Sequence, residues 1–556
     1  MPAPFPFGKL QAVRPTAADR SAAPEHNNSS QVMLLSKKMF TFTDISEAEL
    51  SDHTINMKNE ISFLCLCSLA TTAVAQLSNR PNVVFIYADD LGRGMLSHYG
   101  QRLISTPNID RLFQQGTAFE YAYGCMFSAP ARASLLTGYH DCRRDKWNIS
   151  PGGQFRKGIT YAALDSIEKR LNATAVTLPE DDLLLPQIFK RAGYVTAQVG
   201  KLDWGFTVTR QQLRRHGWDY YCGYLDHQHA HVFYPHFLFE NDSLLILSQN
   251  THPTEGRGFE AESAESYRKR HDMTGKAVYS QDLFLERILA FIRNHRERPF
   301  FLFHSTQLPH GPVAIPQVHP SVKERTDLSE IEKEYASMVL KLDEHVGIIL
   351  NELERLHLRD NTIIIFSADN GHETYYTSGQ RCRKNPPCDM QGRPFDAWDY
   401  PYRSDRTGDL FDGNNGLSGK KWMNWEGSVR VPLVFCWPGR IAAEKVSRQV
   451  VSNYDLLPTF ADLFGINLPT AKDGLSLLPV LTGGKDSLAD YRTVIVNSPE
   501  GPAVIDSRHW KLRYNKHRKV YRLHYLPEDY REERLLNDSH PEILEQLKEI
   551  LKPYCN

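Results

Sequence analysis

The most prominent hydrophobic feature of the chain is a set of short apolar runs in which polar and apolar residues do not alternate. Such runs occupy residues 82–87, 194–199, 300–303, 362–366 and 433–437. A continuous apolar run of this length is typical of a strand buried on both faces of a parallel sheet. Helical patterns separate the runs, for example at 184–193 and in the amphipathic stretch opened by the capping box of Ser329 and Glu332. This alternation predicts an α/β fold with a large, mostly parallel central sheet flanked by helices.

The pattern changes after about residue 484. Four short strand-like runs, at 493–497, 503–505, 510–514 and 521–525, alternate with turns, which predicts a smaller antiparallel sheet. The chain ends in a helical pattern that we expect Ser539 and Glu542 to cap, with the apolar residues after them facing inward. We therefore expect a large domain over residues 76–484 and a C-terminal α+β subdomain over residues 485–556.

The N-terminal region contains a segment typical of a secretory signal. Residues 57–75 combine a cation, an apolar run too short to span a bilayer and small residues before a cleavage site near Ala75. The alternative, a buried core helix, is disfavoured because polar residues and Pro81 follow at once. We interpret residues 1–56 either as the product of a misassigned start codon, with Met57 the true start, or as a disordered arm. We expect an exported protein, periplasmic in a bacterium.

The net charge of the chain limits the kinds of binding partner that we expect. The 556 residues carry a net charge of −1, so no global basic field would attract nucleic acid or an anionic membrane. A sulfated or phosphorylated ligand must then be held by a few local cations. The cysteines after Ala75 form an odd, scattered set, which is not a disulfide framework, although Cys382 and Cys388 are near enough in sequence to close one small loop.

Acidic side chains follow two of the predicted central strands. Asp89 and Asp90 come directly after the first apolar run, and Asp369 and Asn370 come after the fourth. The carboxyl ends of strands are where open α/β sheets hold their ligands. Four side-chain oxygens suit Ca²⁺ or Mg²⁺, and without His or Cys among them zinc is disfavoured.

Residues 124–138, GCMFSAPARASLLTG, predict a turn that feeds a helix. Pro130 suits a first helical turn, and Ser128 lies beside backbone N–H groups that a cap or an anion could use. As isolated features, Ser128 is best interpreted as an N-cap and Arg132 as a surface cation. The longer string resembles the sulfatase signature Cys/Ser-x-Pro-x-Arg-x-x-x-x-Thr-Gly, with every key position filled. The resemblance implies that a serine-type sulfatase-maturing enzyme oxidises Ser128 to formylglycine, whose hydrate is the nucleophile.

Other segments are also similar to sulfatase motifs. Lys201 lies in a segment that matches Gly-Lys-x-His-x-Gly, except that Asp203 replaces the His. His310 lies in a Pro-His-x-Pro segment. Lys421 lies in a segment similar to the family's Lys-x-x-x-Tyr-Glu-Gly-Gly-x-Arg-x-Pro. The resemblance covers roughly residue 80 to the C-terminus and places the catalytic domain within residues 76–484.

The resemblance implies a role for each of these side chains. The expected metal ligands are the two acidic strand ends and the nucleophile residue, namely Asp89, Asp90, Asp369, Asn370 and Ser128. Arg132 would stabilise the nucleophile. Lys201 and Lys421 would bind and neutralise the sulfate, and His310 would contact sulfate and donate a proton.

Two further expectations concern residue 203, where Asp stands in place of the family's His, and the wall of the substrate pocket. Asp203 could act as a base where the family has His, and His372 could compensate for the missing imidazole. The His- and aromatic-rich segment 216–242, with His229 and His231, is interpreted as a wall of the substrate pocket because aromatic faces and polar tips suit sugars. A structural loop is the alternative interpretation of that segment.

The favoured hypothesis is an exported sulfatase of a sulfated carbohydrate, with a galactose- or N-acetylgalactosamine-type glycan favoured. Ca²⁺ is the expected cation and Mg²⁺ the alternative. A phosphatase or phosphodiesterase of the same alkaline-phosphatase-like superfold is a second hypothesis, although a ligand set for its second metal is not evident. The third hypothesis is an inactive glycan-binding homologue. The sequence leaves the sugar and the oligomeric state open.

Overall fold

The computed structural model describes residues 80–555, apart from 148–149, 156–158, 175–178, 180, 253–262, 377–380, 383–386, 484–487 and 489–490. The predicted export signal at 57–75 and residues 1–56 lie outside the described residues. The strands of the main sheet are β1 (Asn82–Ala88), β2 (Thr117–Tyr123), β3 (Val195–Gly200), β4 (Tyr220–Gly223), β5 (Phe237–Glu240), β6 (Ser243–Ile246), β7 (Phe300–Ser305), β8 (Thr362–Ala368), β9 (Leu433–Cys436) and β10 (Lys445–Ser452).

The main sheet has the strand order β10-β2-β9-β8-β1-β7-β3-β4-β5-β6. Its centre, from β8 through β1, β7 and β3 to β4, is parallel throughout. Antiparallel pairings occur where β9 inserts between β8 and β2, and where β5 and β6 extend the other edge. Strands β1, β7 and β8 are buried along their whole length, as continuous apolar runs require. The predicted α/β fold with a mostly parallel central sheet is confirmed.

Helices cover both the sheet and its loops. Among the described residues they span Pro107–Gln114, Ser128–Thr137, Tyr161–Thr174, Leu185–Arg191, Arg210–His216, Ala264–His271, Ser280–Asn294, Pro320–Lys323, Glu330–Arg355, Ser404–Thr407, Glu426–Val429, Leu456–Leu463, Leu478–Leu481 and Pro541–Leu551. The longest helix begins at the predicted capping box, where Glu332 Oε2 accepts the backbone N–H of Ser329 at 2.8 Å. None of the helices in the described part of the chain has the length and apolarity needed to cross a bilayer.

A second, antiparallel sheet follows near the C-terminus. Its strands, in the order β11-β12-β13-β14, are β11 (Thr493–Val496), β12 (Ala503–Asp506), β13 (Trp510–Asn515) and β14 (Val520–Tyr525). One face packs on Leu547 and Leu551 of the terminal helix. The other packs on Tyr123 and Tyr454 of the main body, so that an apolar layer joins the two sheets. The predicted smaller antiparallel sheet and terminal helix are confirmed.

Three local expectations differ from the structure. Ser128 is the first residue of its helix and Phe127 is the N-cap, so the serine hydroxyl is free for other contacts. The terminal helix is capped at His540 rather than at Ser539, because Pro541 takes the first helical position, where its missing N–H costs nothing. The thiols of Cys382 and Cys388 are both free, so the small disulfide loop is not formed.

Candidate active site

The parallel strands at the centre of the sheet place the acidic residues that follow them close together. Strands β1 and β8 pair with Ala88 opposite Ala368, so the residues that follow them lie side by side. The backbone N–H of Asp90 donates to Asp369 Oδ1 at 3.0 Å, and Asn370 Nδ2 donates to Asp90 Oδ1 at 2.7 Å. The two acidic strand ends therefore form one buried cluster.

The hydroxyl of Ser128 lies against this cluster. Its Oγ donates a hydrogen bond to Asp89 Oδ1 at 2.7 Å, and the residue is only 2% exposed. Lys201, directly after β3, forms an ion pair with Asp89 Oδ2, and its Nζ lies 3.4 Å from Ser128 Oγ. The serine oxygen is thus held between a carboxylate and an ammonium group at the floor of the site.

Arg132 lies one helical turn after Ser128 and on the same face of the helix. Its Nη1 donates to Asp369 Oδ2 at 2.7 Å and to the carbonyl oxygen of Ser128 at 3.2 Å, and its Nε donates to Ser305 Oγ at 3.0 Å. Nη2 is buried without a hydrogen-bond partner among the described residues, 3.7 Å from Asp89 Oδ2. Arg132 is therefore a buried member of the cluster and not a surface cation.

The carboxyl groups of the cluster have opposite pKa shifts. Burial alone would raise the pKa of Asp89, but neighbouring positive charges, above all that of Lys201, hold it well below its ordinary value. For Asp369, burial and then the negative charge of Asp89 raise the pKa. The cationic side chains thus do not fully offset the crowded carboxylates, and further positive charge would be favourable in this site.

Lys421 and His310 lie beside Asp90 in this site. Lys421 Nζ donates to Asp90 Oδ2 at 2.8 Å and lies 3.1 Å from His310 Nε2. A carbonyl oxygen only accepts, so the 2.5 Å contact of His310 Nδ1 with the oxygen of Gly311 identifies Nδ1 as the protonated nitrogen. Burial and the charge of Lys421 lower the pKa of His310 well below its ordinary value. Lys421 and the expected donor His310 therefore lie in direct contact, with His310 Nε2 turned towards the ammonium group.

These groups line a cavity of about 280 Å³. Its lining residues are Phe127, Ser128, Gly152, Lys201, Phe206, His227, Gln228, His231, His310, Lys421 and Trp422. The ring of Trp422 is stacked on Phe127 with the centroids 4.1 Å apart, and Trp422 is 45% exposed. The cavity thus has a charged floor and an aromatic rim.

Asp203 and His372 do not line this cavity. Asp203 is fully buried, and its Oδ2 accepts from Trp218 Nε1 at 2.7 Å and contacts His216 Nδ1 at 2.9 Å. The ring of His372 is also buried, with Nε2 2.7 Å from the hydroxyl of Tyr376. Both side chains have structural contacts away from the cavity floor.

The histidines of the His-rich segment 216–242 lie partly in the cavity wall and partly in the hydrophobic core. His227, Gln228 and His231 line the cavity, and the ring of His231 stacks on that of His310 at 4.5 Å. His229 instead packs against Phe237 with the ring centroids 4.3 Å apart and is not a lining residue. The segment has no regular period, so the sequence offered no signal for which of its imidazoles faces the ligand.

Some lining residues were not singled out from the sequence. Phe206 and His227 belong to separate loops, and only the fold brings them to the same wall. Trp422 had a usable signal, because it directly follows Lys421 and precedes the Glu-Gly segment. Its left-handed backbone, with φ of 78°, turns the chain at the cavity rim.

The acidic cluster has the donor set for a hard divalent cation. Asn370 Oδ1 is buried without a hydrogen-bond partner among the described residues, as a vacant ligand oxygen would be. Asp89, Asp90 and His310 each offer a ligand atom within 4.8 Å of the others. Since His310 Nε2 already contacts Lys421, the remaining donors are oxygens, which suit Ca²⁺ or Mg²⁺.

Comparison with known proteins identifies the family of this chain. The family model described as Sulfatase matches residues 81–466, and that of the N-sulphoglucosamine sulphohydrolase C-terminal region matches residues 413–554. The chain belongs to the sulfatase family. It is accordingly a sulfuric ester hydrolase.

The similar proteins include bacterial and animal enzymes. An N-acetylgalactosamine-6-O-sulfatase of Bacteroides thetaiotaomicron is 26% identical and aligns over 86% of this chain and 93% of its own. The human N-acetylgalactosamine-6-sulfatase is 29% identical over 73% of this chain and 66% of its own. A solved structure concerned with glycosaminoglycan metabolism by Bacteroides thetaiotaomicron has a TM-score of 0.62 at 23% identity, covering 86% of this chain and all of the other, which supports the fold.

Proposed function

We propose that this protein removes sulfate from a sulfated carbohydrate, with 6-sulfated N-acetylgalactosamine or galactose units favoured. The relatives named for N-acetylgalactosamine 6-sulfate support the sugar. The aromatic rim above a charged floor supports a sugar ring that presents its sulfate inward. The observation that carries the proposal is the position of Ser128 Oγ, bonded to Asp89 and 3.4 Å from Lys201 at the base of the cavity.

The nucleophile in this proposal is formylglycine, made from Ser128 by a serine-type maturing enzyme. Its hydrate would offer a hydroxyl to the sulfur, whereas unmodified serine has no second hydroxyl with which to expel sulfate. Asp89 is placed to hold the oxygen of residue 128 in position, because its Oδ1 accepts a hydrogen bond from Ser128 Oγ at 2.7 Å. Arg132 holds the first helical turn through its bond to the Ser128 carbonyl oxygen.

The cations of the cavity would bind the sulfate. Lys201 and Lys421 are both buried and both line the cavity, so each can neutralise a sulfate oxygen without a competing water shell. Lys421 and His310 share a 3.1 Å contact and are the groups that would deliver a proton to the leaving sugar oxygen.

The cation would be held by Asp89, Asp90, Asp369 and Asn370, with the residue 128 oxygen beside them. When bound there, Ca²⁺ or Mg²⁺ would supply Lewis-acid polarisation of a sulfate oxygen. The unpartnered Asn370 Oδ1 and the raised pKa of Asp369 both support a cation in this place.

The experiment is peptide mass spectrometry across residue 128, combined with an activity panel. We expect the mass of formylglycine, and turnover of 6-sulfated N-acetylgalactosamine or galactose that chelator abolishes and Ca²⁺ or Mg²⁺ restores. The matched 6-phosphate esters of the same sugars serve as the control. Faster cleavage of the phosphates by protein with unmodified Ser128 would contradict the proposal and favour a phosphatase. Formylglycine with binding but no turnover of any sulfate would favour a glycan-binding role.

We also propose that residues 57–75 direct export to the periplasm and are removed near Ala75, and that residues 76–484 and 485–556 form the catalytic domain and its subdomain. The composition of residues 57–75 supports the first proposal. N-terminal sequencing of protein from the native host tests it. A mature chain that retains residues 57–75 would contradict it.

A further inference from the structure

The family pattern calls for an imidazole next to the nucleophile, and residue 203 does not supply it. Asp203 is fully buried and bonded to Trp218 and His216. The imidazole of His310 is also engaged, since its Nδ1 donates to a backbone carbonyl and its Nε2 faces Lys421. An imidazole on the Ser128 side must therefore come from another part of the chain.

His227 is in the right place to supply it. Its ring lines the same cavity as Ser128 and Lys201, and its Nε2 is buried without a hydrogen-bond partner among the described residues. A buried nitrogen without a hydrogen-bond partner is costly unless a ligand or a reacting group meets it.

The backbone holds this ring rigidly. The N–H of His227 donates to the carbonyl oxygen of Phe206 at 2.8 Å, and the two rings meet edge to face with the centroids 5.3 Å apart. The preceding Asp226 anchors the loop, because its Oδ2 accepts from Thr207 Oγ1 at 2.8 Å and its Oδ1 accepts from the N–H of Gln228 at 2.8 Å. The position of Nε2 is therefore preorganised rather than chosen on binding.

The charges around the ring also distinguish it from its neighbours. Burial and then the positive charges of Lys201 and Arg132 lower the pKa of His227, so the ring is influenced by the two cations that flank Ser128. For His231, the largest charge effect comes instead from His310, on whose ring it stacks, and that of Lys201 is second. Of the imidazoles that line the cavity, His227 is thus the one on which the strongest charge effects come from Lys201 and Arg132, the two cations that flank Ser128.

We propose that His227, rather than Asp203 or His372, is the base for the nucleophile at residue 128. The inference rests on the proposed function. In the sulfate-releasing step, the proton of the hydroxyl remaining on residue 128 passes to His227 Nε2. The carbon–oxygen double bond of the aldehyde forms, the carbon–oxygen bond to sulfate breaks, and sulfate leaves with the electron pair. Water then adds to the aldehyde and restores the hydrate, so that no oxidant or reductant is needed.

The test uses His227→Ala and His227→Gln in the mature enzyme, with a fluorescently labelled 6-sulfated N-acetylgalactosamine as the probe. We expect steady-state turnover to fall roughly 10²- to 10³-fold, as for loss of a general base, with KM changed less than about threefold. One equivalent of desulfated sugar should still form rapidly, and the peptide containing residue 128 should retain the mass of sulfate. His227→Gln keeps the polarity of the wall and should show the same burst, which guards against misfolding of the alanine variant.

The matched control is His524→Gln. His524 is also buried with an unpartnered Nε2, but it lies in the C-terminal sheet, so its turnover should stay within about twofold of wild type. Slow turnover of the His227 variants without a burst or retained sulfate would overturn the assignment, and so would unchanged turnover. Wild-type enzyme that is active with unmodified Ser128 would instead overturn the proposed function, so the two failures are distinguishable.

Discussion

Two clusters of buried charge among the described residues invite comparison, one at the carboxyl ends of the central strands and one where the two sheets meet. In the second, the junction cluster, Lys511 Nζ lies 2.9 Å from Glu426 Oε1 and 3.0 Å from Glu532 Oε1. Arg430 adds a contact with Glu426 at 3.4 Å. All four side chains are buried, as are those around Ser128. Burial and ion pairing alone therefore do not distinguish a functional cluster from a structural one.

The difference lies in what each cluster faces. The active-site cluster borders a cavity, and Asn370 Oδ1 and Arg132 Nη2 have no hydrogen-bond partner there among the described residues. The junction cluster instead links strand β13 to the start of the helix Glu426–Val429, and none of its members lines the cavity. A buried charge network with an opening indicates chemistry, whereas one that links two layers indicates that its role is to fix their packing.

The largest expected effect is that of Ser128→Ala. Removing Oγ deletes the atom that formylglycine formation and catalysis both need, so turnover should fall by more than about 10⁴-fold. The lost hydrogen bond to Asp89 should lower the free energy of unfolding by only about 1 kcal/mol. Steady-state assays and urea unfolding of the same preparations measure both quantities. A variant that is unfolded rather than inactive would contradict the distinction between the clusters.

The junction cluster should show the reverse behaviour in Lys511→Met. The change leaves two glutamates buried near each other without their shared cation, which should lower the free energy of unfolding by about 3–5 kcal/mol. The activity per folded molecule should remain that of wild type. Lys552→Met is the control, since its pair with Glu549 is exposed on both sides and should cost less than about 0.5 kcal/mol. Loss of activity without loss of stability in Lys511→Met would refute the structural role.

The smallest effect is expected from Glu352, a carboxylate whose arginine partners are exposed to solvent. Glu352 accepts hydrogen bonds from Arg355 and Arg293, which lower its pKa from 4.5 to about 2. The stabilisation is present above the ordinary pKa and is lost as pH falls towards the folded value. Because both arginines are half exposed or more, Glu352→Gln should cost less than about 1 kcal/mol at pH 7. Urea unfolding should show the difference shrinking towards about pH 3. A difference that grows on acidification would show that the pair has another role.

The sequence predicted the fold class because the signals are local. Unalternated apolar runs marked β1, β7 and β8, and the short runs after residue 484 marked the second sheet. The sequence did not fix the first residue of the terminal helix, because the neighbouring residues Ser539 and His540 can both serve as its N-cap. The spacing of Ser128 and Arg132 was equally informative, because four residues in a helix place two side chains on one face.

Local sequence patterns could not predict which side chains each candidate site residue contacts. Nothing in the segment around Asp203 shows that Trp218 and His216 hold its carboxylate away from the cavity. Likewise, His227 and His229 are two residues apart in an irregular loop, yet one lines the cavity and the other packs on Phe237. Irregular loops have no period, so their inward and outward positions depend on the contacts they make.

The sequence by itself determined the α/β architecture, the two acidic strand ends and the family to which Ser128 and its neighbours belong. These follow from hydrophobic period, helix geometry and short-range motifs, all of which are properties of consecutive residues. Only the tertiary structure decided which imidazoles line the cavity, and that Lys421 lies 3.1 Å from His310. Such assignments depend on distances between segments far apart in the chain, which parallel strand pairing and loop packing set together.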